Sequence, residues 1–76
     1  MKAYVLITIR TGEIRDVLKQ LRMVEQIHVA EMTFGEYDAI AILEAKNLSE
    51  VGRVLASDIQ PIPGIENTMT CLAVDI

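Results

Sequence analysis

Residues 2–10, KAYVLITIR, read as a strand whose two faces are both largely apolar. Ala3, Val5, Ile7 and Ile9 fall on one face by period two, and Tyr4, Leu6 and Thr8 fall on the other. A strand apolar on both sides belongs inside a sheet, with something covering each face. Asp38 to Glu44, DAIAILE, has the same property. Two such strands in 76 residues are a tight constraint, because a domain this small has room for a single core.

The segments between them supply the remaining elements. Thr11-Gly12 breaks the first strand, and Thr11 is placed to act as a helix N-cap. Ile14, Val17, Leu18 and Leu21 follow the i, i+3, i+4, i+7 rule, which predicts an amphipathic helix over 13–23. A second strand is expected from Gln26 to Thr33, with Phe34 to Tyr37 as the turn into the third. Asn47 with Glu50 three residues on resembles a capping box. It opens a second helix carrying Leu48, Val51, Leu55 and Ile59, which Pro61, Pro63 and Gly64 terminate. A last strand is expected over Asn67 to Asp75.

The order is β-α-β-β-α-β over a single domain, residues 1–76. Right-handed crossovers set strands one and three side by side in the centre of one antiparallel sheet, with both helices on one face. This is an α+β, ferredoxin-like split βαβ arrangement, and it leaves the other sheet face open. With 51% hydrophobic residues, so small a body has more apolar surface than it can hide alone. The open face is therefore expected to be paired in a homodimer.

Charge and composition remove several classes of function. A net charge of -4 argues against a phosphate-backbone binder, which needs a basic stripe, so no direct DNA binding is expected. Arg15, Lys19 and Arg22 share one helix face and read as a solvated surface. The single cysteine, Cys71, leaves no disulfide framework and no cysteine-cluster metal site. No leader and no apolar run of about 18 residues is visible, so a cytoplasmic chain with no membrane contact is expected. His28 has no companion ligands at metal spacing. Met23, Met32 and Met69 read as adaptable fillers, and the glutamates show no acid/base spacing. No metal, no cofactor and no catalytic residue is expected.

Gly35-Glu36-Tyr37-Asp38 sits between the two middle strands. Gly35 opens backbone conformations closed to other residues, while Tyr37 brings an amphipathic ring and Asp38 a negative charge. Such a tip is able to offer backbone and side-chain polar groups to a small zwitterion. The purely structural alternative has Tyr37 packed on the edge and Asp38 capping its own turn. Thr68 and Thr70 share one face of the last strand and carry hydroxyls that donate and accept.

Along nearly its full length the chain resembles the effector-binding RAM domain of the Lrp/AsnC transcriptional regulators. The resemblance rests on AYVLITI at the start, GEYDAIAIL in the middle, PGI after the second helix and TMTCLAV at the end. It implies sheet-paired dimers that assemble further, commonly into an octamer. It also implies a free amino acid bound between dimers, with Gly35, Tyr37, Asp38, Thr68 and Thr70 as the candidate ligand-binding residues. Here Met1 is followed at once by the first strand, so the chain is similar to stand-alone members without a helix-turn-helix. Mixed oligomers with full-length relatives would then carry any effect on transcription. The alternative is a small dimeric α+β barrel enzyme, monooxygenase-like, with His28 and Tyr4 as its suspects. An ACT-type amino-acid module would share the chemistry without the GEYD match.

Overall fold

The computed structural model describes all residues from Met1 to Ile76. Four strands, β1 (Lys2–Ile9), β2 (Ile27–Met32), β3 (Ala39–Glu44) and β4 (Ile65–Leu72), form one antiparallel sheet in the order β2-β3-β1-β4. Helix α1 (Ile14–Leu21) joins β1 to β2, and α2 (Leu48–Val54) joins β3 to β4. The two doubly apolar strands thus occupy the centre, as their patterning requires. No helix is long and apolar enough to cross a membrane.

The core lies between the sheet and the helices. Ala3, Val5, Ile7 and Ile9 from β1 and Ala39, Ala41 and Leu43 from β3 are buried with Val17, Leu18 and Leu21 of α1. Ile27 and Ala30 of β2 with Ala45, Val51, Val54, Ile59 and Ile62 complete it, and no polar side chain is buried. Alanines at three of the central positions keep the sheet surface low, so both helices settle close to it.

The helix starts differ from one another. Thr11 does not cap α1: the residue before the helix is Glu13, which makes no side-chain cap. Its carboxylate pairs instead with the Arg10 guanidinium at 2.8 Å, and Thr11-Gly12 forms a turn with Gly12 at φ 88°. At α2 the Asn47 side chain accepts the Glu50 amide at 2.9 Å, and Glu50 reaches back to the Lys46 amide at 3.0 Å. The box therefore closes one residue upstream of Asn47.

Helix α2 does not stop at Val54. It widens into a π turn over Leu55–Ile59, in which the Gln60 amide donates to the Leu55 carbonyl at 2.8 Å. The wider turn keeps Ile59 fully buried beneath Val54 and brings Asp58 within 3.5 Å of Arg53. After it, Gly64 lies at φ +102° with its α-carbon against α1. A methyl group there would stand 3.0 Å from Val17 Cγ2, and the Gly64 carbonyl accepts the Arg10 amide at 2.8 Å. This double demand on backbone and space accounts for the glycine of the Pro-Gly-Ile segment.

Both ends of β4 come earlier than expected, at Ile65 and Leu72 rather than Asn67 and Asp75. An irregularity between Thr8 and Ile9 moves the pairing from Thr8–Asn67 to Ile9–Ile65. A second one makes His28 an extra residue between the Ile27–Leu43 and Val29–Ile42 pairs. At the β2 edge, Nε and Nη2 of Arg22 both donate to the Ala30 carbonyl, at 3.1 and 2.8 Å.

The second sheet face has no helix over it. By register it carries Tyr4 and Leu6 from β1, Ile40 and Ile42 from β3, Val29 from β2 and Met69 from β4. Met69 is 51% exposed and Tyr4 37%, whereas Val5 and Ile7, their neighbours on β1 and across it, are fully buried. Part of the excess hydrophobicity of the sequence lies here.

Candidate functional site

The β2–β3 connection is closed by short polar contacts at its base. The Thr33 amide donates to the Asp38 carbonyl at 2.9 Å, and the Thr33 hydroxyl donates to the Tyr37 carbonyl at 2.8 Å. Asp38 then continues the central ladder. Its amide donates to the Ile7 carbonyl at 2.9 Å, while its carboxylate accepts the Ile9 amide at 2.7 Å. An acid at this position satisfies a β1 amide that has run past the last backbone partner on β3. Asp38 therefore ties two strands together and does not cap its own turn.

Beyond that base the tip projects. Gly35 adopts φ +138° with open space where a side chain would stand, and Phe34 is 95% exposed. Tyr37 reaches across β1, with its hydroxyl 3.4 Å from the sulfur of Met69. Since Met69 pairs with Leu6, this contact lies on the open face.

Thr68 and Thr70 pair with Ile7 and Val5 and so point to the helix side. The Gln60 side-chain amide donates to Thr68 Oγ1 at 3.4 Å, above a shallow cleft of about 230 Å³. Gly35, Tyr37, Asp38 and Thr68 thus gather at one end of the sheet, but Tyr37 and the threonines occupy opposite faces. No cleft of the single chain is lined by Gly35, Tyr37 or Asp38.

The two residues of the enzyme alternative do not converge. Tyr4 lies on the open face of central β1, with Lys2 Nζ 5.1 Å from its ring centre. His28 sits at the edge irregularity of β2, beside Glu25 and Glu44, with β3 between it and Tyr4. Sequence reasoning also missed a cleft of about 460 Å³ between α1 and β2. Its floor is Ile14, Leu18 and Met32, and its rim is Arg15, Lys19 and Arg22. The shared helix face of the three cations was visible; the apolar floor beside them came from β2 packing.

The Asp38 geometry yields a direct expectation. Asp38→Ala leaves the Ile9 amide without its charged acceptor and should cost roughly 1.5–3 kcal/mol of stability. Asp38→Asn keeps an acceptor of the same shape and should cost less. Urea unfolding of both variants measures this, and equal stability for wild type and Asp38→Ala would contradict the strand-tying role.

Comparison with known proteins resolves the relationship. The family model described as the Lrp/AsnC ligand binding domain matches residues 2–76. The chain belongs to the Lrp/AsnC family. Among relatives, it is 33% identical over 72 residues to the HTH-type transcriptional regulator FL11 of Pyrococcus abyssi, covering 95% of this chain and 47% of that one. It spans about half the length of the curated Lrp/AsnC relatives it matches. The crystal structure of TTHA0845 from Thermus thermophilus superposes with a TM-score of 0.93 at 27% identity, covering 99% of this chain and 94% of that one. A Neisseria meningitidis transcriptional regulator, NMB0573, crystallised as an L-Met complex, has the same fold. Its TM-score is 0.88 at 12% identity, covering 97% of this chain and 49% of that regulator. The family relationship makes this a regulatory ligand-binding domain related to transcriptional regulators, and suggests a role other than catalysis.

Proposed function

We propose that this domain is a non-enzymatic amino-acid sensor whose ligand biases its own assembly. Two copies pair through the open sheet faces, and the dimers associate further into an octamer or a similar ring. A free amino acid binds between dimers at the hairpin tip. The observation that carries this reading is the ligand-binding domain of a regulator family spread over residues 2–76. A regulator of the same fold holding L-Met supports an amino acid as the ligand class.

The tip suits that role chemically. An amino acid presents an ammonium and a carboxylate that both need partners once water is removed. Backbone groups at Gly35 are approachable because no side chain stands there, and the Tyr37 hydroxyl adds a polar group on the open-face side of the tip. Asp38 holds the tip in shape from below. Thr68 and Thr70, on the helix side, contribute only if a neighbouring copy brings its tip to them. Since no single-chain cleft includes the tip residues, the site is completed between copies. The effect on transcription passes through mixed oligomers with full-length relatives.

A ligand bound only by the assembled form stabilises it by mass action. A thermal-shift screen of the twenty amino acids, with assembly mass recorded alongside, tests the proposal. At about a hundredfold over its dissociation constant, the responsive amino acid should raise the melting temperature by roughly 10–20 °C. The mass distribution should shift in the same samples. If no amino acid at millimolar concentration moves either quantity, the sensor reading fails.

A further inference from the structure

Phe34 is the one aromatic side chain left almost wholly in solvent, at the end of a tip whose next charged residue is Glu36. An isolated ring on a projecting turn is an anchor without a pocket, and aromatic anchors dominate contacts when seated in one. The cleft between α1 and β2 has the opposite character. Ile14, Leu18 and Met32 form its apolar floor, and Arg15, Lys19 and Arg22 form its cationic rim. That rim holds three of the seven Lys and Arg residues of a chain with net charge -4. Its volume of about 460 Å³ leaves room for a phenyl ring.

We propose that the Phe34–Glu36 tip of one copy docks into the α1–β2 cleft of a second copy. Phe34 meets the floor, and Glu36 meets the cations of the rim. An aromatic ring beside an acid thus meets an apolar floor beside cations, and the opposite charges favour this occupant over an uncharged one. Phe34 follows Met32 by two residues, so tip and cleft adjoin on the surface of each chain. Two copies related by a two-fold axis then exchange tips, each filling the other's cleft, and the contact closes on itself. The cleft is separate from the open sheet face, and although the tip is the one the amino-acid reading uses, the docking itself needs no ligand. In a chain already paired through its sheets, it joins one dimer to the next.

Sedimentation equilibrium of the full chain with Phe34→Ala, Glu36→Lys, Lys19→Glu and the Glu36→Lys/Lys19→Glu double variant tests the docking. Phe34, Glu36 and Lys19 are all exposed, so thermal unfolding of the monomeric fold serves as a common control. Arg22 is left intact because it holds the Ala30 carbonyl. Phe34→Ala should remove one association step, raising its dissociation constant roughly thirtyfold or more. Each single charge reversal should weaken that same step, and the double variant should restore it. An unchanged assembly in Phe34→Ala overturns the proposal, as does a double variant no tighter than the singles. Loss of the step in Phe34→Ala, with no amino acid active in the thermal screen, leaves the docking standing while the sensor reading falls.

Discussion

Leu43→Ala is expected to leave the isolated chain largely unfolded. Leu43 is fully buried, paired with Ala3 on one side and Ile27 on the other. Removing a leucine from a packed core costs about 2–5 kcal/mol, the upper end applying where neighbours are unable to move in. Ala3 and Ala41 are too short to fill the gap, and the β1–β3 ladder holds their backbones in place. A core of this size supplies about 3–5 kcal/mol unaided, so the loss matches the whole margin. Far-UV circular dichroism against urea measures it. A variant that unfolds within about 1 kcal/mol of wild type would mean that the core repacks or that assembly carries most of the stability.

Its sequence neighbour should behave in the opposite manner. Ile42 points to the open face, between Tyr4 of β1 and Val29 of β2, and is only partly shielded in one chain. Ile42→Asp therefore costs the single domain little. Pairing of the open faces would instead trap an unpartnered carboxylate, at roughly 3–5 kcal/mol per buried charge. Association through this face should weaken by several hundredfold or more. Light scattering should show the mass falling to that of a species without sheet pairing, while the circular dichroism spectrum persists. Ile42→Val, which keeps the face apolar, should retain the mass of wild type. An unchanged mass for Ile42→Asp would exclude the open face as the pairing surface. Neighbouring positions that separate folding from association give the pair its diagnostic value.

The fold was legible because its strongest signals are local. Alternation in β1 and β3, helical spacing in α1, and the Asn47–Glu50 pair each speak for residues within a few positions of one another. The π turn left no such mark, since Leu55 and Ile59 are spaced as in an ordinary helix. Thr11 looked like a cap because its residue type fits; the chain instead uses Gly12 for a turn and starts the helix after Glu13. The candidate site was harder for the same reason. The GEYD segment is conspicuous, but the partner of Asp38 is the amide of Ile9, 29 positions away. Thr68 and Thr70 do share a face, as period two demands. Which face they share depends on the pairing of β4 with β1, and β4 is too mixed in polarity to announce it.

The clamp at the β2 edge has a consequence for how far such a molecule is able to grow. Continuous polymerisation of sheets needs two sticky borders, one to receive a strand and one to offer the next. Arg22 turns two of its guanidinium N–H groups onto the Ala30 carbonyl, so that acceptor of the β2 border is already engaged within the chain. On the β4 border the Thr68 amide is engaged in the same way, by Asn67 Oδ1. An incoming strand at either border therefore has to displace a contact that such a tile already makes. The two side chains act as bumpers on the tile's borders, making strand-by-strand growth costlier than growth through surfaces that close.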